Sequence, residues 1–173
     1  MQWQDSEHQY GLVSRAIHWL MAALLILMLF SDGWMDLLKE AGGPRGMPIH
    51  QGIGLLLLAL VAFRIFWRAL NRNRVLPPEH WRRAARIGHL LLYLLMLALP
   101  LSGLVTAWAS GHGVHMFGLT LTDTSPGIEW LEDAGEETHE FLANLLWLVL
   151  AGHVIAALAH QYMLRDQTLQ RML

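Results

Sequence analysis

His139 and His153 stand fourteen residues apart on the last long apolar stretch of a 173-residue chain. Fourteen residues of α-helix rise about 21 Å and return to within about 40° of the starting face. Both imidazoles therefore project from one side of one helix, near its opposite ends. His18 opens the first apolar stretch and His50 opens the second. Imidazoles that face each other across a helical bundle hold a haem iron from both sides. Two such pairs at two depths read as two stacked haems, and so as an electron path across a membrane.

Ten histidines are present. His8, His80, His112 and His115 fall in polar loops and read as solvent-facing. His18, His50, His89, His139, His153 and His160 lie in or at the ends of the apolar runs. A lone intramembrane histidine is usually a hydrogen-bonded packing or proton-relay residue. Six at the ends of four helices call for another account.

The elements that must position them follow from composition. Residues of hydrophobic type make up 54% of the chain, which a soluble domain of this size could not hide. They gather in four runs, Ala16 to Phe30, Ile49 to Trp67, Ile87 to Ala109 and Phe141 to His160. Each approaches the roughly 20 residues that cross the hydrocarbon core. The runs are Leu/Ala/Met-rich without alternation, so helices are expected over about 14–34, 49–70, 87–109 and 139–163, and strands are not. The expected fold is an all-α, integral membrane four-helix bundle with two stacked b haems in its core. Residues 1–173 form a single transmembrane domain. The first run does not read as a cleaved signal peptide. Acidic Asp5 and Glu7 precede it, and no small-x-small site follows Phe30.

Ten of the twelve Lys and Arg lie before the first helix, around the second connection or after the fourth helix. Only Lys39 and Arg45 fall in the other two loops. The positive-inside rule then puts both termini in the cytoplasm of a bacterial inner membrane. The outer loops hold Asp32, Asp36, Glu40, Asp123, Glu129, Glu132, Asp133, Glu136, Glu137 and Glu140, which with the two cations leaves a formal −8. The chain has no Cys, so disulfides, iron–sulfur clusters and thioether-linked haem are excluded. Any haem is non-covalent and b-type. Nothing in the charge pattern calls for a nucleic-acid partner.

Depth sorts the ligands. The outer level offers His50 and His139, whose pairing is nearly forced. The inner level offers His18, His89, His153 and His160. His153 is favoured by its spacing from His139, and His18 by lying deeper than His89. Gly52, Gly54 and Gly152 remove bulk beside these positions, either for a macrocycle or for close helix packing. Arg15, three residues before His18, and Arg64, fourteen after His50, could meet haem propionates or reach the cytoplasmic surface. Residues 31–48 read as a short outer loop, with turn residues Gly42, Gly43, Pro44 and Pro48. Residues 71–86 form a basic inner loop with Pro77 and Pro78. In the long 110–138 connection, Trp130 and Leu131 point to a short surface helix. Trp3, Trp67, Trp108 and Trp130 read as interface anchors.

The chain resembles the bacterial cytochrome b561 family over nearly its whole length. The resemblance is carried by Ser14-Arg15-Ala16-Ile17-His18-Trp19-Leu20, Ile49-His50-Gln51-Gly52-Ile53, Gly88-His89 through Tyr93 to Ala98-Leu99-Pro100, and Phe117-Gly118-Leu119-Thr120. It is strongest over Thr138-His139-Glu140, Leu142-Ala143-Asn144, Gly152-His153, Ala156 to His160 and Arg171-Met172. It implies two b haems with axial ligands at His18, His50, His139 and His153. It further implies electron transfer between an outer donor and ubiquinone. One branch of the family oxidises superoxide. The −8 outer face departs from that branch, because it repels anions and suits a cationic periplasmic donor protein. A local basic spot at Lys39 or Arg45 could still guide superoxide.

Ubiquinone reduction takes up two protons, and His160 lies about 10 Å beyond His153 toward the cytoplasm on nearly the same face. His160 is the expected proton donor. His89 could hydrogen-bond a ring carbonyl, and Arg68 or Arg86 could stabilise a quinone anion. Two other readings compete. One is the cytochrome b membrane anchor of a larger respiratory dehydrogenase or hydrogenase. The other is an intramembrane histidine metal binder or transporter, which would need Asp or Glu within the apolar runs, and none is there.

Overall fold

A computed structural model describes residues 2–42, 46–71, 75, 81–117 and 119–173. Gly43, Pro44, Arg45, Pro77, Pro78, His80 and Gly118, named above, lie outside the described residues. The elements in order are α1 (Leu12–Leu29), α2 (Ser31–Glu40), α3 (Gly46–Leu70), α4 (Arg82–Ala109), a hairpin of β1 (His115–Met116) and β2 (Leu119–Thr120), and α5 (Glu129–Ala159). A π-helical turn, His160–Leu164, continues α5, and a short 3-10 turn, Gln170–Met172, ends the chain.

Among the described residues, four helices, α1, α3, α4 and α5 with its π turn, are long and apolar enough to cross a membrane. Their outward faces fit that environment. Leu148 and Ile155 of α5 are about two-thirds exposed, as lipid-facing side chains are. The buried core is a ladder of every fourth residue: Ile17, Met21 and Leu25 on α1 meet Ile53, Leu57 and Val61 on α3. Residues four apart lie on one ridge of a helix, and two such ridges interlock. Leu95 of α4 and Leu146 of α5 close the core from the other side. In lipid, this packing is held by close contact rather than by escape from water.

The most extensive helix contact is between α4 and α5. Gly135 permits it, since a Cβ there would lie 2.6 Å from Thr106 Oγ1. This contact accounts for the early start of α5, ten residues before the expected 139. Ile128 N–H donates to the Ala109 carbonyl at 2.8 Å, and Glu129 and Glu132 complement the positive end of the helix dipole. The expected short surface helix at Trp130 is thus the first turn of α5.

The 31–48 connection also differs from a plain loop. Residues 31–40 form α2, with Asp32 in its first turn and Lys39 in its last, the arrangement a helix dipole favours. Trp34 Nε1 donates back to the Leu27 carbonyl of α1 at 2.9 Å. At the same end of the molecule the β1–β2 hairpin rests on α3. His115 N–H donates to Gln51 Oε1 at 2.9 Å, and Phe117 lies over Gly52, where a Cβ would stand 2.9 Å from the ring. The smallness of Gly52 therefore serves Phe117.

Candidate functional site

Two levels of imidazoles line the bundle. At one level, α3 brings His50 and α5 brings His139, with ring centroids 6.1 Å apart. The His139 ring is held by α4. Ser102 donates its hydroxyl to the Leu99 carbonyl at 2.7 Å, so its oxygen is left to accept from His139 Nδ1 at 3.0 Å. The proton is thereby placed on Nδ1 and the lone pair on Nε2, as a metal ligand requires. Pro100 helps to build this corner, because it cannot donate to the Met96 carbonyl one turn back. Gly103 makes room, since a Cβ there would lie 3.0 Å from His139 Cε1. His50 Nδ1 is buried and, among the described residues, has no hydrogen-bond partner.

At the other level, His153 of α5 stands 6.3 Å from His18 of α1 and 5.9 Å from His89 of α4, centroid to centroid. His89 is therefore as close to His153 as the expected partner is. Arg64 is near enough to act electrostatically on all three rings. Its Nε donates to the Tyr93 hydroxyl at 3.1 Å. Beside it a cavity is lined by Tyr10, Arg64, Trp67, Arg68, Asn71 and Tyr93. Asn71 is buried there, and among the described residues its Nδ2 has no partner. Arg15 donates through Nη1 to the Leu173 carbonyl, and among the described residues its buried Nε has no partner. Gly54 borders space limited by Met28 Cε at 4.0 Å, and a Cβ at Gly152 would meet no atom of the described residues within 4 Å.

These separations suit a metal held between two rings. Two metal–imidazole bonds of about 2 Å, with about 1 Å from each nitrogen to its ring centre, give about 6 Å in all. Among the described residues no three His, Cys, Asp or Glu gather into a bare-metal site. Imidazole pairs, without carboxylates, are a donor set that a doubly ligated haem accepts.

The full length agrees. The sequence model of the prokaryotic cytochrome b561 family matches residues 9–173. The chain belongs to the prokaryotic cytochrome b561 family. Its relatives include cytochrome b561 homolog 2 of Escherichia coli K12, 32% identical over all of this chain and 95% of that protein. The probable superoxide oxidase CybB of Yersinia pestis is 30% identical over 95% of this chain and 96% of its own. Cytochrome b562 of Cereibacter sphaeroides is 29% identical over 96% of both. Family membership and four apolar helices make this a bacterial membrane cytochrome of the b type, and the family's business is electron transfer.

Beyond the histidine pairs lies His160, at the far end of α5. Its Nδ1 meets Asp166 Oδ2 at 2.5 Å, and Trp81 stands against its ring at 6.2 Å. The other oxygen of Asp166 accepts from Thr168, at 3.1 Å from the backbone N–H and 2.6 Å from the hydroxyl. Burial opposes its charge, but the hydrogen bonds from Thr168 and His160 hold the Asp166 carboxyl below the usual carboxylate range. Among the described residues, Arg86 makes no hydrogen bond or ion pair with His160 or Asp166.

Sequence reasoning did not reach Ser102, Gly103 or Asp166. Ser102-Gly103 just after Pro100 was a usable signal, because small residues follow a broken helical turn that faces a ligand's depth. The Asp166-x-Thr168 spacing, which allows a side-chain turn, was a weaker one.

Proposed function

We propose that this protein carries electrons through two b haems, from a one-electron donor outside the inner membrane to ubiquinone within it. The observation that carries the reading is the repeat of one geometry. Imidazole pairs 6.1 Å and 6.3 Å apart recur at two depths, and α5 supplies one ring of each. A bound b haem supplies reversible one-electron chemistry at each level. His50 and His139 hold the outer haem, and His18 and His153 the inner. His18 is preferred to His89 because it matches the family's motif.

The remaining residues orient, balance charge and move protons. Ser102 fixes the His139 ring. Arg64, with the Tyr93 hydroxyl as its neighbour, and Arg68 provide the positive charge that inner propionates need near the membrane. Gly54 leaves the macrocycle room beside α3, and Arg15 retains its Nε for a propionate. His160 hands protons to the quinone, and His89 hydrogen-bonds a ring carbonyl.

Both termini and Asp166 are cytoplasmic on this reading, while the hairpin and the acidic start of α5 face the periplasm. The outer carboxylates favour a cationic donor protein. The likeness to a probable superoxide oxidase supports superoxide as the alternative donor.

Replacing one axial ligand tests the pairs. His50→Ala is expected to lose the outer haem and keep the inner, and His18→Ala the reverse, read as haem per chain and reduced-minus-oxidised spectra. Two low-spin haems in both variants would defeat the assignment. Loss of the inner haem in His89→Ala, with retention in His18→Ala, would move that ligand to α4.

A further inference from the structure

We propose that Asp166 is the positioning residue for proton delivery by His160, fixing which imidazole nitrogen faces the quinone. This rests on the quinone reading of His160. Nothing in the ligand pairing requires Asp166, yet its carboxylate lies 2.5 Å from His160 Nδ1 and is anchored on its other oxygen by both donors of Thr168. A carboxylate held at both oxygens cannot swing away from the ring.

The backbone is shaped to bring it there. Asp166 is the sixth residue after His160, and a continuing α-helix would carry it about 9 Å away along the axis. Instead the helix widens into the π turn His160–Leu164, a feature often found at functional sites. Arg165 and Gln167 then adopt left-handed conformations, φ 54° and 59°, which side chains other than glycine rarely take. The tail that follows is stitched to α1. Tyr10 N–H donates to the Arg171 carbonyl at 3.2 Å, and Trp19 Nε1 to the Met172 carbonyl at 3.0 Å. Trp19 adjoins His18, so the loop that holds Asp166 is tied to the helix that bears an inner imidazole.

The chemistry follows. An ionised carboxylate only accepts, so the proton between the two groups belongs to Nδ1, and Nε2 becomes the exchanging atom. Among the described residues, Nε2 makes no hydrogen bond. Reduction of ubiquinone to ubiquinol takes two electrons, which a b haem held at the inner imidazoles would supply one at a time. It also takes two protons. Each proton leaves Nε2 of the imidazolium for a quinone oxygen, breaking N–H and forming O–H. Nε2 regains a proton from cytoplasmic water before the next. Nδ1–H stays on Asp166 throughout.

The test is Asp166→Asn in the haem-loaded, detergent-solubilised protein. Asparagine keeps an oxygen for Thr168 but presents an N–H to Nδ1, which drives the imidazole into the other tautomer. Both haems are expected to remain, with unchanged reduction by an outer donor. Stopped-flow reoxidation by a short-chain ubiquinone should slow by about tenfold or more, through kcat and not KM, with a larger solvent deuterium isotope effect. Asp166→Glu should recover part of the rate. Wild-type reoxidation in Asp166→Asn, beside slow reoxidation in His160→Ala, would reduce Asp166 to a loop anchor and leave the reading of His160 standing. Wild-type reoxidation in His160→Ala would remove that reading and this one together. Should Asp166→Asn lose its haems, Thr168→Val decides. It keeps the carboxylate but loosens it, so slowing with unchanged KM is expected, and a wild-type rate overturns the proposal.

Discussion

A single imidazole shows how much a neighbour's size can matter. His139 is oriented by Ser102 and given space by Gly103. A methyl group at Gly103 would stand 3.0 Å from Cε1 and 3.2 Å from Nδ1, tighter than ordinary contact. Gly103→Ala is therefore expected to tilt the ring and lower outer-haem occupancy, while the inner haem stays. Ser102→Ala leaves the space but removes the acceptor, and groups in this supporting role typically change affinity by about 10- to 100-fold. Haem titration of each variant, with the two haems resolved spectrally, checks both. Equal loss at the two levels would mean a folding defect. The depth of His50 and His139 was legible because helical rise converts residue number into height. The support of His139 was not. It depends on a Ser102 hydroxyl shared between its own helix and the next, and no linear pattern encodes that pairing. At the inner level, depth favoured His18 over His89, yet the two lie six and seven residues into α1 and α4, and both rings come to His153.

The elements were legible where they are apolar and less so where they are polar. Four long runs became four long helices because a membrane demands continuous backbone hydrogen bonding. The missed portions, α2 and the first ten residues of α5, carry Asp, Glu, Lys and Gly, which read as loop. Their helical form comes from dipole-complementing charges and from contact with a neighbour. Gly135 is the clearest case, because its contact with Thr106 is tertiary. Gly135→Leu is expected to push the end of α4 and the start of α5 apart, at a cost of about 1–3 kcal/mol. A lower thermal midpoint in detergent, with outer-haem loss preceding inner-haem loss on heating, is the expected result. An unchanged midpoint would mean that α5 can begin later without penalty.

For the whole molecule, the proposed direction of insertion rests on the basic and acidic ends. A carboxy-terminal reporter is expected to be active only in the cytoplasm, and activity in the periplasm would invert every assignment of inner and outer made above. Direction then has an energetic consequence that follows from the fourteen-residue spacing of His139 and His153. That spacing is about 21 Å, or about 0.7 of a hydrocarbon core about 30 Å thick. An electron passed inward between the levels moves toward the negative side of an energised membrane. A full crossing costs about 2.3 kcal/mol per 100 mV, so this step costs about 1.6 kcal/mol, rather more than tenfold in its equilibrium. Turnover in sealed vesicles should therefore generate a potential, negative on the side of Asp166. It should slow as that potential builds and speed up when an ionophore collapses it. The cytochrome would then act as a small current source, throttled by the charge of the membrane it helps to energise.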